Sequence, residues 1–392
     1  MTVVKSWLEI SDARLAANLR AIQQVAGAGV ETLAVVKANG YGHGATGVAQ
    51  TLVKAGARWL GVSDVEEGER LRTSLSRRST RMLVMCGIEP RDAASLVANG
   101  LTPVVWTADH VAALERAARA SGKHAKVHVE IDTGMARQGA AVGAELARVL
   151  ERLAKSRWVA CEGVMSHLAC AEEVASAVTQ AQRDRFAEAL VQVAAGGVRP
   201  ELLHLGNTSA VDEGATMAWL RATAKRMSAT PMVRTGLAVY GYALELEGAT
   251  AAKPKLRRRV RPVLTWKTRV IGLREIAAGT TVGYGATFTA KAPMKLALLP
   301  VGYADGFRRE ASSGMGDGWV MGWVMIGGKR APVVGRVSMN LTTVDVTAIP
   351  QAAMGSEVVL LGDGVTAEDH ARWCGTIPYE ILCGVKGNFL QR

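Results

Sequence analysis

Short apolar runs alternate with amphipathic stretches through the first two-thirds of the chain. The runs Leu33–Val36, Trp59–Val62, Met82–Cys86, Pro103–Trp106, Val127–Asp132, Val159–Ser166, Leu202–Leu205 and Met232–Arg234 predict eight strands. Between most of them apolar residues recur at helical spacing: Val111, Leu114 and Ala118 within Ala108–Ala120, and Val142, Leu146, Leu150 and Leu153 within Ala141–Ala154. One helix precedes the series, with Leu15, Leu19 and Ile22 on a common face and Ser11 as its expected N-cap. Eight strand–helix units in roughly 240 residues suit a (β/α)8 TIM barrel, and a doubly wound sheet suits the same pattern.

The texture changes near Lys253. From there Val263–Leu273, Leu296–Val301, Val344–Val346 and Val358–Leu361 read as strands broken by Gly, Pro and Asp turns, and only Thr366–Cys374 reads as a helix. The expected organisation is α/β: a barrel over 11–245, a linker over 246–257, and a mainly β C-terminal domain over 258–392 that the short strand Ser6–Ile10 joins. Within that domain Gly318-Trp-Val-Met is followed at once by Gly322-Trp-Val-Met. An even-numbered insertion preserves strand alternation, so the duplication reads as a lengthened hairpin without chemistry.

Composition narrows the class. The chain has 392 residues, 49% hydrophobic and 21% charged, as in an ordinary soluble protein. No apolar run reaches membrane-spanning length, and the N-terminal stretch lacks a signal-peptide core, which points to the cytoplasm and away from a membrane. Five cysteines, an odd number, fit neither a disulfide framework nor a zinc site, and no metal site is expected. The net charge of +12 has its densest run at Lys253–Arg261, where no aromatic residue is interleaved and no nucleic-acid-binding motif is present. That run reads as a solvated linker or as a source of steering for anionic ligands, with no nucleic-acid partner.

The candidate chemistry begins at Lys37. It closes the apolar run Leu33–Val36 and opens a glycine-rich loop, Ala34-Val-Val-Lys-Ala-Asn-Gly-Tyr-Gly-His-Gly44. Burial at such a strand end favours the neutral amine, the form that attacks carbonyls. This string, with DTGMARQG (132–139), GVMSHLAC (163–170), LHLGNTSA (203–210), MVRTGLAVYGY (232–242), TVGYGATFTA (281–290), LPVGYADGF (299–307), APVVGRVSMN (331–340) and GTIPYEILCGV (375–385), resembles the alanine racemases. These are enzymes dependent on pyridoxal 5′-phosphate (PLP), built on a TIM barrel with a second β domain, and the resemblance settles the fold for the barrel.

The resemblance implies interconversion of L- and D-alanine by two bases, supplying D-alanine for peptidoglycan, in a homodimer whose active sites are shared between subunits. Lys37 would hold PLP and act on one face of the substrate α-carbon, and Tyr284 would act on the other. His167 would lie by the cofactor ring and Arg234 would meet the pyridine nitrogen. Tyr41, Thr208, Tyr379 and the backbone N–H groups of Gly236 and Leu237 would hold the phosphate. Arg137 and the Met339 N–H would bind the substrate carboxylate, and Tyr303 would line the substrate entrance.

Three positions depart from the family pattern: Glu130 stands where many members have a carbamylated lysine, Ser338 where a cysteine is often found, and Asn340 where an aspartate usually follows. Glu130 lies on the same strand face as Asp132, so it is expected to orient Arg137 directly. The rival readings are a racemase of serine or a basic amino acid, and a non-catalytic PLP carrier. The large β domain with its GYGATF motif speaks against the carrier.

Overall fold

The structure, a computed structural model, describes residues 5–75, 79–248, 253–313 and 321–390. Strand β1 spans Ser6–Ile10. The strands that follow are β2 (Glu31–Val35), β3 (Trp59–Val62), β4 (Arg81–Val84), β5 (Thr102–Val105), β6 (Ala125–Asp132), β7 (Ala140–Ala141), β8 (Val159–Met165), β9 (Leu202–Gly206) and β10 (Thr230–Thr235). Two compact units emerge from the contacts: 13–40 with 45–261, and 5–12 with 41–44 and 262–390.

In the first unit β2 to β10 form one parallel sheet, in the order β5-β4-β3-β2-β10-β9-β8-β6-β7. A further pairing of β5 with β6, Val104 opposite His128, closes eight of these strands into a ring, with the two-residue β7 appended to β6. Closure excludes the doubly wound alternative and gives the (β/α)8 barrel. The runs are apolar because a strand of a closed, helix-covered barrel has no wet face: Leu33, Leu60, Leu83, Val104 and Val129 are all fully buried. Each such side chain contributes roughly 1.5–3 kcal/mol relative to exposure.

The helices sit where the spacing placed them, with ends set by local chemistry. Ala108–Ser121 begins on Thr107, whose hydroxyl accepts from the His110 N–H, and stops at left-handed Gly122. The helix expected over Ala141–Ala154 starts later, at Ala144, because Ala140 and Ala141 pair with β6 and Gly143 has φ near 100°. The segment expected as a solvated linker is anchored in its second half. Leu256 and Val260 are buried, and buried Asp212 accepts from the backbone N–H groups of Leu256 and Arg257. Arg258 and Arg259 remain exposed. Residues 249–252 of that linker lie outside the described residues.

The second unit is mainly β. Its strands are β11 (Leu264–Arg269), β12 (Gly272–Ile276), β13 (Thr281–Val282), β14 (Phe288–Thr289), β15 (Met294–Leu299), β16 (Trp323–Ile326), β17 (Lys329–Pro332), β18 (Thr342–Asp345), β19 (Glu357–Leu361) and β20 (Asn388–Phe389). A six-stranded sheet runs β17-β16-β19-β11-β1-β20, and a three-stranded sheet runs β12-β15-β18. The N-terminal strand β1 thus pairs with β11, Leu8 opposite Trp266.

Two expectations are corrected here. Val263–Leu273 is not one strand. Between β11 and β12 the Val270 N–H bonds to the Ser356 carbonyl and the Ile271 N–H to that of Leu298, so the chain passes from one sheet to the other. Pro378–Gly384 is also helical, with Pro378 in its first turn. Of the duplicated tetrapeptides, residues 318–320 lie outside the described residues, and the second copy leads into β16.

Candidate active site

The loop after β2 has a run of left-handed backbone. Ala38, Asn39, Gly40 and Tyr41 all have φ between 51° and 65°, a left-handed turn immediately after Lys37. Each non-glycine residue in that region costs about 1–2 kcal/mol. Hydrogen bonds hold it: the Gly40 N–H to the Val36 carbonyl at 2.8 Å, and the Ala45 N–H to the Asn39 side chain at 3.0 Å. Lys37 is half-buried.

The loop after β6 is folded by one carboxylate. Asp132 Oδ1 accepts from the N–H groups of Gly134, Met135 and Ala136 at 2.8, 3.0 and 3.1 Å. A Cβ on Gly139 would stand 2.5 Å from the Asp132 backbone nitrogen, so only glycine returns the chain there. Arg137 is carried on this loop with its side chain exposed.

Glu130 is buried, and its hydrogen bond goes to Gln138 Nε2, not to Arg137. Gln138 also donates to the Met85 carbonyl at 2.9 Å. Burial raises the Glu130 pKa, while the Gln138 bond and the charges of Arg234 and Arg137 oppose the rise. Direct orientation of Arg137 by Glu130 is therefore corrected to an indirect link through the adjacent residue.

At the end of β10, Arg234 is buried. Its Nη2 donates to the Ser166 carbonyl at 2.8 Å and to His167 Nδ1 at 3.0 Å, and its Nη1 donates to the His204 carbonyl at 3.1 Å. Burial lowers its pKa to about 10, which leaves it charged at neutral pH. His167 must accept through Nδ1, because guanidinium only donates, so its proton sits on Nε2. Its pKa is pushed down to about 3 by burial and then by Arg234, Arg137 and Lys37. One unit thus brings three cations within electrostatic reach of one neutral imidazole.

Thr208 is buried and opens the short helix Thr208–Glu213, capped by Asn207. Its hydroxyl accepts from the Ala238 N–H at 3.4 Å, so it stands beside the turn that Gly236 and Leu237 begin.

The second unit holds the remaining candidates. Tyr284 is on the turn between β13 and β14, 69% exposed. Tyr303 and Met339 lie on neighbouring loops: the Tyr303 N–H bonds to the Ser338 carbonyl at 3.1 Å, and the Ala304 N–H to that of Met339 at 3.0 Å. Gly302 permits this approach, since a Cβ there would stand 2.1 Å from the Ser338 oxygen. Tyr41 and Tyr379 face each other with ring centroids 5.9 Å apart.

Family models for the alanine racemase N-terminal domain and C-terminal domain match residues 10–244 and 263–392. The chain belongs to the alanine racemase family. Its activity is that of the family, an isomerase reaction on alanine. It is 38% identical over 384 residues to an alanine racemase of Symbiobacterium thermophilum, covering 97% of this chain and 94% of the relative. It is 37% identical over 389 residues to one from Syntrophobacter fumaroxidans, covering 98% and 96%.

Among solved alanine racemases, that of the D-cycloserine producer Streptomyces lavendulae superposes with a TM-score of 0.85 at 31% identity, covering 100% of this chain and 98% of that one. The Bartonella henselae alanine racemase with covalently bound pyridoxal phosphate does so with 0.81 at 25%, covering 98% and 99%.

Sequence reasoning passed over Gln138, His128, Glu162 and His204, which bond to the candidate residues or to one another. One signal was available. Lys126, His128, Glu130 and Asp132 alternate along β6, a polar row on one strand face that an apolar core would not contain.

Proposed function

We propose that this racemase uses PLP held by Lys37, and that Lys37 and Tyr284 exchange protons at opposite faces of the substrate α-carbon. The supporting observation is the donor set at the barrel strand ends. Lys37, Arg137 and Arg234 all act on His167, against one buried carboxylate, Glu130. Such a set suits a ligand that brings an accepting ring nitrogen and a phosphate, and a substrate that brings a carboxylate. The covalently bound pyridoxal phosphate of the Bartonella henselae relative supports a covalent link here.

When bound, the cofactor supplies an electron sink for the substrate α-carbon. This chain's residues do the rest. Arg234 only donates, so a ring nitrogen set against it would stay unprotonated, which would weaken the sink and favour simple proton exchange. The Thr208 hydroxyl, the N–H groups of Gly236 and Leu237, and Tyr41 and Tyr379 would hold the phosphate. Arg137 and the Met339 N–H would fix the substrate carboxylate, and Tyr303 would line its entrance. Tyr284, Tyr303 and Met339, at 69%, 43% and 56% exposure, are large side chains with little cover in the single chain. Their exposure supports a homodimer in which each subunit lends Tyr284 and Met339 to the other's barrel. Supply of D-alanine to peptidoglycan in the cytoplasm is the biological role that fits.

Borohydride reduction of the PLP-loaded enzyme tests the reading. The label should appear on the peptide containing Lys37, and Lys37→Ala should abolish both labelling and racemisation. Label on another lysine overturns the assignment.

A further inference from the structure

A line of buried polar side chains crosses the barrel behind Arg234, and nothing in the proposed reaction uses it. Arg234 Nη1 lies 3.3 Å from His204 Nδ1. His204 Nε2 lies 2.8 Å from His128 Nδ1. His128 Nε2 lies 3.4 Å from Glu162 Oε2. Glu162 is clamped in turn by Arg81, at 2.8 and 2.5 Å, and by Lys126 at 2.7 Å. Both imidazoles are fully buried. Gly163 makes the room, since a Cβ on it would stand 2.9 Å from the His128 ring.

The direction of every hydrogen bond follows from the two ends. Arg234 only donates, so His204 accepts at Nδ1 and carries its proton on Nε2. That proton points at His128 Nδ1, so His128 also carries its proton on Nε2, and this one points at the carboxylate. The opposite polarity would set a His204 N–H against a guanidinium N–H, an unpaired donor in a buried site. Burial is the largest influence disfavouring a second proton on either ring; at His128 the Glu162 bond and charge oppose it, ahead of the smaller effects of Arg81 and Arg234. Burial would raise the Glu162 pKa, but bonds from His128, Arg81 and Lys126 hold it well below the usual carboxylate range.

We propose that Glu162 is a positioning residue for Arg234, acting through His128 and His204, whose tautomers it fixes so that a lone pair faces the guanidinium. This rests on the reading above only in that Arg234 meets the cofactor ring. The carboxylate aims the guanidinium from the far side of the barrel and touches neither cofactor nor substrate.

Glu162→Gln is the informative change. Arg81 and Lys126 claim the amide oxygen, Arg81 keeping the Thr102 hydroxyl at 3.2 Å as a second acceptor. The amide nitrogen then faces His128 Nε2, which must accept, and the relay reverses as far as His204.

The test is ¹⁵N NMR of histidine-labelled protein, with and without PLP, alongside PLP titration of the cofactor-free form. Wild type should show His128 and His204 with protonated Nε2 and bare Nδ1. Glu162→Gln should protonate Nδ1 on both and weaken PLP binding at least about tenfold, the loss of one charge-assisted bond. A protonated Nδ1 on either histidine in wild type overturns the proposal, and this measurement stands even where the variant does not fold. So does a Glu162→Gln protein with unchanged tautomers and a lowered melting temperature alone, or one with reversed tautomers and wild-type PLP affinity. Wild-type protein that takes up no PLP removes the cofactor reading but not the relay, which the cofactor-free spectra judge by themselves.

Discussion

Arg137 is exposed while the carboxylate expected to aim it is buried one residue away in contact, at Gln138. A carbamylated lysine would present an anion that depends on carbon dioxide; Glu130 presents one outright. Its bond to Gln138, which also grips the Met85 carbonyl, fixes the last turn of the loop that Asp132 begins. Glu130→Gln leaves an amide oxygen to accept from Gln138 but removes the charge that strengthens that bond, so the turn is held less firmly. The KM for alanine should rise about tenfold, from losing one charged hydrogen bond, with PLP content unchanged and wild-type activity indifferent to bicarbonate. Steady-state kinetics with and without bicarbonate check this. An unaltered KM would make Glu130 a rim residue. The resemblance supplied Glu130 as a departure, yet its true partner was hidden. Alternation along a strand tells which face a side chain shares, not which neighbour a returning loop brings to it.

Elements were legible where a single period ran long enough. All eight barrel strands lie where the apolar runs placed them, because most of their residues are buried on both faces and need no alternation to be noticed. Pro378–Gly384 escaped because two turns give too few apolar repeats to stand out. The break in Val263–Leu273 escaped because a strand changing sheets leaves no mark in hydropathy.

The helix Ala367–Cys374 was readable from Thr366 and Asp369, which form a capping box. What it buries was not. His370 Nε2 donates to the Leu360 carbonyl at 2.8 Å, and the ring packs edge-on to Phe307 with centroids 5.6 Å apart. Burial lowers its pKa to about 4, only partly offset by the Leu360 bond. The unfolded chain, with an ordinary histidine near 6.5, then binds the proton that the folded form refuses. The stability from a neutral His370 is full above pH 6.5 and is lost as pH falls toward 4. Urea unfolding should show about 2–3 kcal/mol lost to this group between pH 7 and 4.5. A His370→Gln variant should lack that part of the slope, and equal slopes would refute it.

At the scale of the molecule, the candidate residues divide between two units: Lys37, Arg137, His167, Thr208 and Arg234 in one, Tyr284, Tyr303, Met339 and Tyr379 in the other. The proposed dimer makes this division testable. Mixing inactive Lys37→Ala with inactive Tyr284→Phe should restore activity through heterodimers that hold one intact pair of bases. Absence of recovery, with subunit exchange demonstrated, would mean that each chain completes its own site.

The ring order of the barrel has a kinetic consequence. The first and last strands to emerge from synthesis, β2 and β10, are neighbours, with Leu33 opposite Arg234. Lys37 and Arg234 are therefore brought together only by the contact of longest sequence separation in the barrel, the kind that forms late because its loop-closure entropy is greatest. A nascent chain short of β10 holds the lysine but nothing that could aim a ring toward it. On the proposed reading, cofactor capture would come after closure, and the energy it added would act against reopening, as slower unfolding rather than faster folding.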